Sequence, residues 1–413
     1  MANNITSQNH VYVLFIGAGN ITFGNDNVLW NHSLRVEKFL GSRLRVIGIV
    51  DPSLERVNEV LSAKATSAAA PSYIDCRHFL SLEDANSKIR KEGHIPDIII
   101  LGAPPHFRGT QLPWRDLETR IIAAFGSKPA IFCEKPVSTA RPDLSQQVLE
   151  LFERSGNTIA VGYMLRYLKV VQKATSIIRD NKLRIMSVGA RYTCAYSKIR
   201  KIDWWDKSKQ CGPIVEQATH FADLCRYLGG EINLRTVHSY ALEHDEPAGK
   251  LMHQAVDESQ ILEEERIPRA TISSWKYTTG ALGSLTHIIG LHGIRYSNEI
   301  VVVADGYQLR LVDLYTTPTL YVRSPVSEKE ELFTYRNDDP FYSEFAALFE
   351  SLGLKQVTSA GQSASPTENG TGETLEAPNR ILSSYNDAWK TYEFTWRIRD
   401  ESERTGRELR DRK

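Results

Sequence analysis

No apolar run of about 18 residues, the length a helix needs to span a bilayer, occurs in this 413-residue chain. The first ten residues, Met1 to His10, are polar and lack the apolar centre of a secretory signal. Neither a membrane partner nor secretion is therefore expected. Cysteine is scarce: Cys76, Cys133, Cys194, Cys211 and Cys225 are odd in number, scattered and never spaced as CxxC, which argues against a disulfide framework and against a zinc or dithiol motif. A reduced, cytoplasmic setting is expected, with each thiol acting as a small buried hydrophobe. Charge of one sign is missing too. Lys plus Arg (50) equals Asp plus Glu (50), for a net charge of +0, so there is no electrostatic footprint for nucleic acid or an anionic surface. A small neutral or anionic ligand suits such a chain better. No internal repeat is present.

What the chain does have is ordinary globular composition, 41% hydrophobic and 24% charged, at a length beyond what one core usually supports. Short apolar runs at Val11–Ile16, Arg45–Val50 and Asp97–Leu101 end at Gly17, Asp51 and Gly102, as buried parallel strands do. Between them Leu54, Val57, Val60 and Leu61 recur at helical spacing behind Ser53, a suitable N-cap. Ala130–Cys133, Thr158–Val161 and the helical stretch 143–154 continue the alternation. The fold class expected is α/β: residues 1–160 form a doubly wound Rossmann domain, and residues 161–413 a second α/β domain. Within the latter, 184–196, 270–277, 281–289, 299–304 and 308–313 read as strands of a mainly antiparallel sheet. Helices are expected at 220–228, 341–354 and 379–397. Residues 358–373, rich in Ser, Thr, Gly and Glu, read as a flexible insertion, and the charged end, 400–413, as a solvated helix face or frayed terminus.

The segment VYVLFIGAGNITFG, from Val11, sets Gly17 and Gly19 at a strand end, where a missing side chain lets backbone turn sharply and approach a pyrophosphate. Position 22 of the GxGxxG pattern is Thr22 rather than glycine, and Gly24 comes two residues late. Asp51, ending the second strand, can accept hydrogen bonds from ribose hydroxyls and would repel a 2′-phosphate. Pro52 and Ser53 follow it in place of an arginine clamp, so NAD is favoured over NADP. The alternative reading of Asp51 is a cap for the helix containing Leu54.

FIGAGN at Phe15, VDP at Val50, APP at Ala103, CEKP at Cys133, GYMLRY at Gly162, EQATHFADLCRYLGG at Glu216 and the late strand ALGSLTHIIG together resemble the Gfo/Idh/MocA family of oxidoreductases. The resemblance covers most of the chain. It implies a C-terminal domain whose large open sheet serves oligomerisation, as a homodimer or homotetramer, and an active site between the domains. It also implies cofactor contacts from Gly17, Gly19, Asn20, Ile21, Asp51, Ala103, Pro104, Glu134 and Lys135, and catalytic roles for Lys135 and His220. Glu216 stands where the family more often has Asp, Pro213 and Ala218 where it commonly has glycine, and Arg108 where histidine is frequent.

The chemistry has its own logic. Hydride leaving a carbinol carbon requires a base for the hydroxyl proton, and an imidazole such as His220 can take or return it near neutral pH. An ammonium such as Lys135 stabilises developing alkoxide. Glu216 precedes His220 by four residues, so if one helix carries both, the carboxylate can orient the ring. A metal is not expected, since no third ligand joins that pair. Tyr163, Arg166, Trp204 and Trp205 are candidate substrate walls, against the alternative that the aromatics are core and the arginine a structural ion pair. The function expected is an NAD(P)-dependent oxidoreductase acting on CH–OH or C=O groups of a polyhydroxylated or cyclic small molecule. The alternatives are a non-catalytic NAD-sensing regulator of the same fold, or a lyase, hydrolase or epimerase that recycles its NAD.

Overall fold

The computed structural model describes residues 10–25, 30–357 and 378–411. By their contacts they divide into two units, one within Met1–Tyr167, Asp339–Ser365 and Glu376–Trp389, the other within Leu168–Asp338, Pro366–Leu375 and Lys390–Lys413. The segment 358–373, expected to be an insertion, lies outside the described residues.

The first unit is built on six strands, β1 (Val11–Ile16), β2 (Leu44–Val50), β3 (Arg77–Phe79), β4 (Ile98–Leu101), β5 (Ala130–Cys133) and β6 (Ile159–Val161). Their order is β3-β2-β1-β4-β5-β6 and every neighbouring pair is parallel. β4 and β5 are buried along their whole length, which explains why they are written as unbroken apolar runs, IIIL and AIFC, rather than as alternation. The helix Leu54–Ala65 opens on Ser53, whose Oγ accepts from the Arg56 amide at 3.2 Å. Because the chain builds outward from β1 on one side and then restarts at β4 on the other, the strand order reverses between β1 and β4. Ligands of such sheets bind at the carboxyl ends beside that reversal.

The helix Pro340–Ser351, capped by Asp339 at 3.1 Å from the Tyr342 amide, belongs to this unit rather than to the second domain where its sequence position had put it. Phe345, Leu348, Phe349 and Leu354 share one core with Phe15, Phe39, Leu44 and Ile98. Amphipathic spacing reveals that a helix has a buried face without revealing which core receives it.

The second unit carries eight strands, β7 (Ile185–Ala195), β8 (His238–Leu242), β9 (Ala270–Lys276), β10 (Leu282–Leu291), β11 (Ser297–Ala304), β12 (Tyr307–Val312), β13 (Thr319–Ser324) and β14 (Ser327–Thr334). They lie in the order β14-β13-β12-β11-β7-β10-β9-β8, antiparallel except for the parallel pair β7 and β10. Burial alternates along β9 and most of β10, the pattern of a sheet covered on one face. The helix Thr219–Gly229 packs against β7, β10 and β11, and Phe221 stacks on Tyr192 at 4.8 Å between ring centroids. The helix Tyr385–Arg410 runs well past the expected end. Ion pairs one turn apart, Arg397 with Glu401, Arg399 with Glu403 and Arg404 with Glu408, support its charged extension. No helix among the described residues is long and apolar enough to cross a membrane.

Candidate active site

The first cluster gathers at the carboxyl ends of β1, β2 and β4. Gly17 has φ 97°, and a Cβ there would lie 2.7 Å from the Ala103 amide nitrogen, so only glycine fits between the two strand ends. Among the described residues a Cβ on Gly19 would meet nothing within 4 Å, leaving open space of the kind a pyrophosphate needs at such a turn. The third glycine of the pattern normally lets the helix lie close to the sheet. Here buried Thr22 takes its place, and the room comes from the other side: a Cβ on Gly102 would stand 2.2 Å from Thr22 Oγ1. Gly102→Ala is therefore expected to cost about 1–3 kcal/mol of stability and to weaken dinucleotide binding, read by urea midpoint and NADH titration; unchanged values in both would refute this account of Thr22. Asn20 and Ile21 lie in the single turn Asn20–Phe23, capped by Gly19. An anion there would meet its leading amides, which lack intrahelical partners, rather than the dipole of a long helix.

Asp51 is half-buried and ties this turn together, Oδ2 accepting from the Ala18 amide at 2.7 Å and Oδ1 from the Ser53 amide at 2.8 Å. The helix cap is Ser53, so the capping alternative for Asp51 falls away. An arginine does stand close by. Arg56, one helical turn after Pro52, donates from Nε to Ala18 O at 2.9 Å and from Nη2 to Gly24 O at 2.7 Å, and pairs with Glu59 at 3.0 Å. It buttresses the glycine turn through carbonyls.

At the end of β5 the side chain of Glu134 is buried, with Oε1 2.5 Å from His32 Nε2 and Oε2 accepting from the Lys135 amide at 3.1 Å. Burial alone would raise this carboxyl, but the His32 hydrogen bond and the nearby His32, Lys135 and Arg108 hold it below its ordinary value. Gly162 walls it in: a Cβ there would lie 3.0 Å from Oε1. Lys135 is half-buried and its peptide bond to Pro136 is cis. Arg108, fully buried, joins this loop to the Ala103–Pro104 turn. Its Nε donates to Ala103 O at 3.1 Å, Nη1 to Val137 O at 3.2 Å and Nη2 to Glu134 O, and Glu118 lies 3.6 Å away as counterion. Sequence spacing carried no sign of His32 or Glu118. Tyr163 is buried at the start of the segment after β6. Arg166 shows the second of its two expected roles, a structural ion pair: its buried guanidinium donates to Leu382 O at 2.5 Å and pairs with Asp387.

The second cluster lies in the other unit. His220 is 7% exposed in the first turn of Thr219–Gly229 and meets Tyr315 edge-on at 6.4 Å. Glu216 closes a separate short helix, Gly212–Glu216. Pro213 starts that helix, and its carbonyl accepts from both Gln217 N and Ala218 N, at 3.1 and 2.8 Å, which closes it before the next begins. The same-face argument for Glu216 and His220 therefore fails. Glu216 instead acts electrostatically on Tyr192, Tyr296 and Tyr315. Burial first, then neighbouring groups including Glu216, pushes the Tyr296 phenol to about 12 and the other two further up, so all three keep their protons across the physiological range. Gln217 Oε1 lies 2.8 Å from Nε2 of His287, whose burial lowers it to about 3 and leaves it neutral. Tyr296 and Tyr315 stand in connections beside β11 and β12, where no motif marks them; the tertiary fold brings Tyr315 to His220 and Phe221 and Tyr296 to Tyr192. Trp205 is core rather than pocket wall: it is fully buried with Tyr196, Ile261, Ile267 and Ile289, and Trp204 packs on the same group. All five cysteines are free, four buried and Cys76 half-buried, and among the described residues no three His, Cys, Asp or Glu side chains are grouped to hold a metal.

Residues 11–163 match the family model described as "Oxidoreductase family, NAD-binding Rossmann fold", and residues 166–307 match "Putative oxidoreductase C terminal domain". The chain belongs to the Gfo/Idh/MocA family. An uncharacterized protein of Schizosaccharomyces pombe is 42% identical over 383 residues, covering 92% of this chain and 88% of the relative. Among solved structures, the WlbA dehydrogenase of Bordetella pertussis, in complex with NADH and UDP-GlcNAcA, superposes with a TM-score of 0.61 at 14% identity, covering 96% of this chain and 97% of that one. The transcriptional regulator Gal80p of Kluyveromyces lactis gives 0.70 at 12% identity, covering 96% and 90%. Identities this low speak to the shared fold. Within this Gfo/Idh/MocA chain, the glycine turn and the Glu134–Lys135 cluster fall in the NAD-binding match and His220 in the second.

Proposed function

We propose that this oxidoreductase transfers hydride between a nicotinamide dinucleotide and a carbinol or carbonyl carbon of a small polyhydroxylated or cyclic substrate. The observation that carries the reading is the buried Glu134 held ionised beside Lys135 at a strand end of the NAD-binding unit. The bound dinucleotide supplies the hydride acceptor or donor. Gly17, Gly19, Asn20 and Ile21 would hold its pyrophosphate, with Ala103 and Pro104 forming the adjacent wall. Lys135 places a positive charge at the substrate oxygen, where alkoxide develops during oxidation. His220 takes the hydroxyl proton and returns it in the reverse direction. Tyr315, a protonated phenol beside His220, can donate to a further substrate hydroxyl.

NAD is the favoured cofactor. Both Asp51 oxygens accept backbone amides and each keeps a lone pair for a ribose hydroxyl, while the carboxylate repels a 2′-phosphate. Asp51→Ser should narrow the preference for NAD over NADP, measured as the ratio of their dissociation constants; an unaltered ratio removes Asp51 from this role. The parent reading is tested by following reduced-nicotinamide absorbance over a panel of polyols, aldoses and cyclic ketones, with Lys135→Ala and His220→Ala as controls. Undiminished activity in both controls would refute it. A second reading, an NAD-responsive regulator without turnover, draws on the likeness to Gal80p, and tight NAD binding with no turnover on the whole panel would favour it. Substrate conversion without net change in NADH would identify a recycling enzyme. A homodimer or homotetramer is expected by light scattering.

A further inference from the structure

We propose that His32 is a positioning residue for the turn that carries Lys135: its imidazole fixes one oxygen of Glu134 and thereby turns the other onto the Lys135 amide. The inference rests on the reading above in taking Glu134 and Lys135 as part of the cofactor and substrate site.

His32 opens the helix His32–Leu40 and is completely buried. The rings of Phe132, Phe345 and Phe341 pack around it, with centroids 5.2, 5.0 and 5.8 Å away. An apolar side chain would fill such a box at lower cost, because Nδ1 is buried and has no hydrogen-bond partner among the described residues. What offsets that cost is a single polar contact, from Nε2 to Glu134 Oε1 at 2.5 Å. An ionised carboxylate only accepts, so Nε2 carries the hydrogen and donates.

Glu134 is thereby held from three sides. Oε1 is fixed by His32, Oε2 accepts from the Lys135 amide at 3.1 Å, and a Cβ on Gly162 would come within 3.0 Å of Oε1. The orientation of the Glu134–Lys135 peptide sets where the Lys135 side chain leaves the end of β5. His32, Lys135 and Arg108 act on the Glu134 carboxylate, and from the helix Pro340–Ser351 comes buried Glu344, whose carboxyl is pushed up by burial and then by Glu134. Without the imidazole Oε1 would lose its donor in a buried place, and Glu134 would take up a proton or swing off the amide.

The start of the same helix also reaches the glycine turn. Asn31 caps it by accepting from the Leu34 amide at 3.2 Å, and its Nδ2 donates at 2.7 Å to the carbonyl of Phe23, the last residue of the turn Asn20–Phe23. Two consecutive residues therefore brace two parts of the cofactor site, Asn31 the glycine turn and His32 the Lys135 turn. Asp51 stands apart from this line, bonded to the Ala18 and Ser53 amides.

His32→Leu keeps the box filled and removes the donor, whereas His32→Gln keeps a donor. In the Leu variant the NADH dissociation constant should rise about tenfold or more, the scale of one lost hydrogen bond to a charged group, and the Gln variant should recover most of this. The ratio of NAD to NADP affinity should stay at its wild-type value in both, because it belongs to Asp51; a general loosening of the unit would change it too. Carboxyl 13C NMR of labelled glutamate, assigned with Glu134→Gln, reads the contact itself. Between about pH 5 and pH 8 the Glu134 signal should stay at its ionised position in wild type and His32→Gln, and show a protonation step in His32→Leu. NADH affinity in His32→Leu equal to wild type overturns the proposal whatever that signal shows, as do equal losses in the Leu and Gln variants. Should His32→Leu not fold, adding Glu134→Gln removes the stranded charge and should restore folding. That double variant should then bind NADH no more weakly than Glu134→Gln alone, since both residues act through one contact; persistent unfolding or added weakening overturns the proposal. Failure of wild type itself to bind NADH would count against the oxidoreductase reading, and the Glu134 signal would still decide His32.

Discussion

Lys135→Ala and His220→Ala should each lower kcat by roughly 10²- to 10⁴-fold, the range for removing one proton-transfer or charge-stabilising group, with a much smaller effect on NADH affinity. The two losses differ in kind. If Lys135 neutralises the substrate oxygen as proposed, its loss should lower kcat and kcat/KM together at every pH. If His220 is the proton acceptor as proposed, its loss should remove the limb of the pH–rate profile that it supplies, leaving residual turnover that rises with hydroxide. Steady-state kinetics across pH distinguish the two. Equal, pH-independent losses in both variants would reduce His220 to a packing residue, a role open to it because it is largely buried against Tyr315.

Arg108→Met should destabilise the first unit by about 3–5 kcal/mol, the usual cost of stranding one member of a buried ion pair. Arg108 and Glu118 are both fully buried, 3.6 Å apart at their charged atoms, and burial, only partly offset by Arg108, already raises Glu118. With the guanidinium gone, Glu118 must take up a proton or relax the fold, and the Ala103, Glu134 and Val137 carbonyls lose their shared donor. The double variant Arg108→Met with Glu118→Gln should recover part of the loss. Urea denaturation reads the stability, and an NADH titration should show weakened binding, because the cofactor turn and the Lys135 loop are no longer stapled. Stability within about 0.5 kcal/mol of wild type, the range of an ordinary surface substitution, would contradict the staple.

How much of this was legible beforehand follows from what each segment asks of its residues. β1, β4 and β5 are covered on both faces, so their runs of apolar residues mark them without ambiguity, as the alternation along β9 and β10 does for a one-sided sheet. β3, three residues long with only Phe79 fully buried, and β14, written SEKEELFT and mostly exposed, carry no such pattern; charge on an exposed strand like β14 protects its edge from pairing. Gly17, Asp51, Lys135 and His220 could be nominated because local chemistry or family motifs single them out. His32, Glu118 and Tyr315 could not, since their meaning comes from partners distant in the chain. The shared-face reading of Glu216 and His220 rested on spacing along the sequence, and the Pro213 carbonyl breaks it by closing the first helix before the second begins; for Arg166 and Trp205 the choice between pocket wall and structural residue turned on Asp387 and Ile267, distant in the chain.

The most direct test of the central claim supplies NADH carrying deuterium on the transferable position of its ring, together with a panel of aldoses and cyclic ketones, and reads the products by mass spectrometry. One deuterium on the former carbonyl carbon, present with wild type and all but lost with Lys135→Ala and His220→Ala, is the predicted result. Firm NADH binding with no deuterium in any product, or equal transfer by both variants, would contradict it.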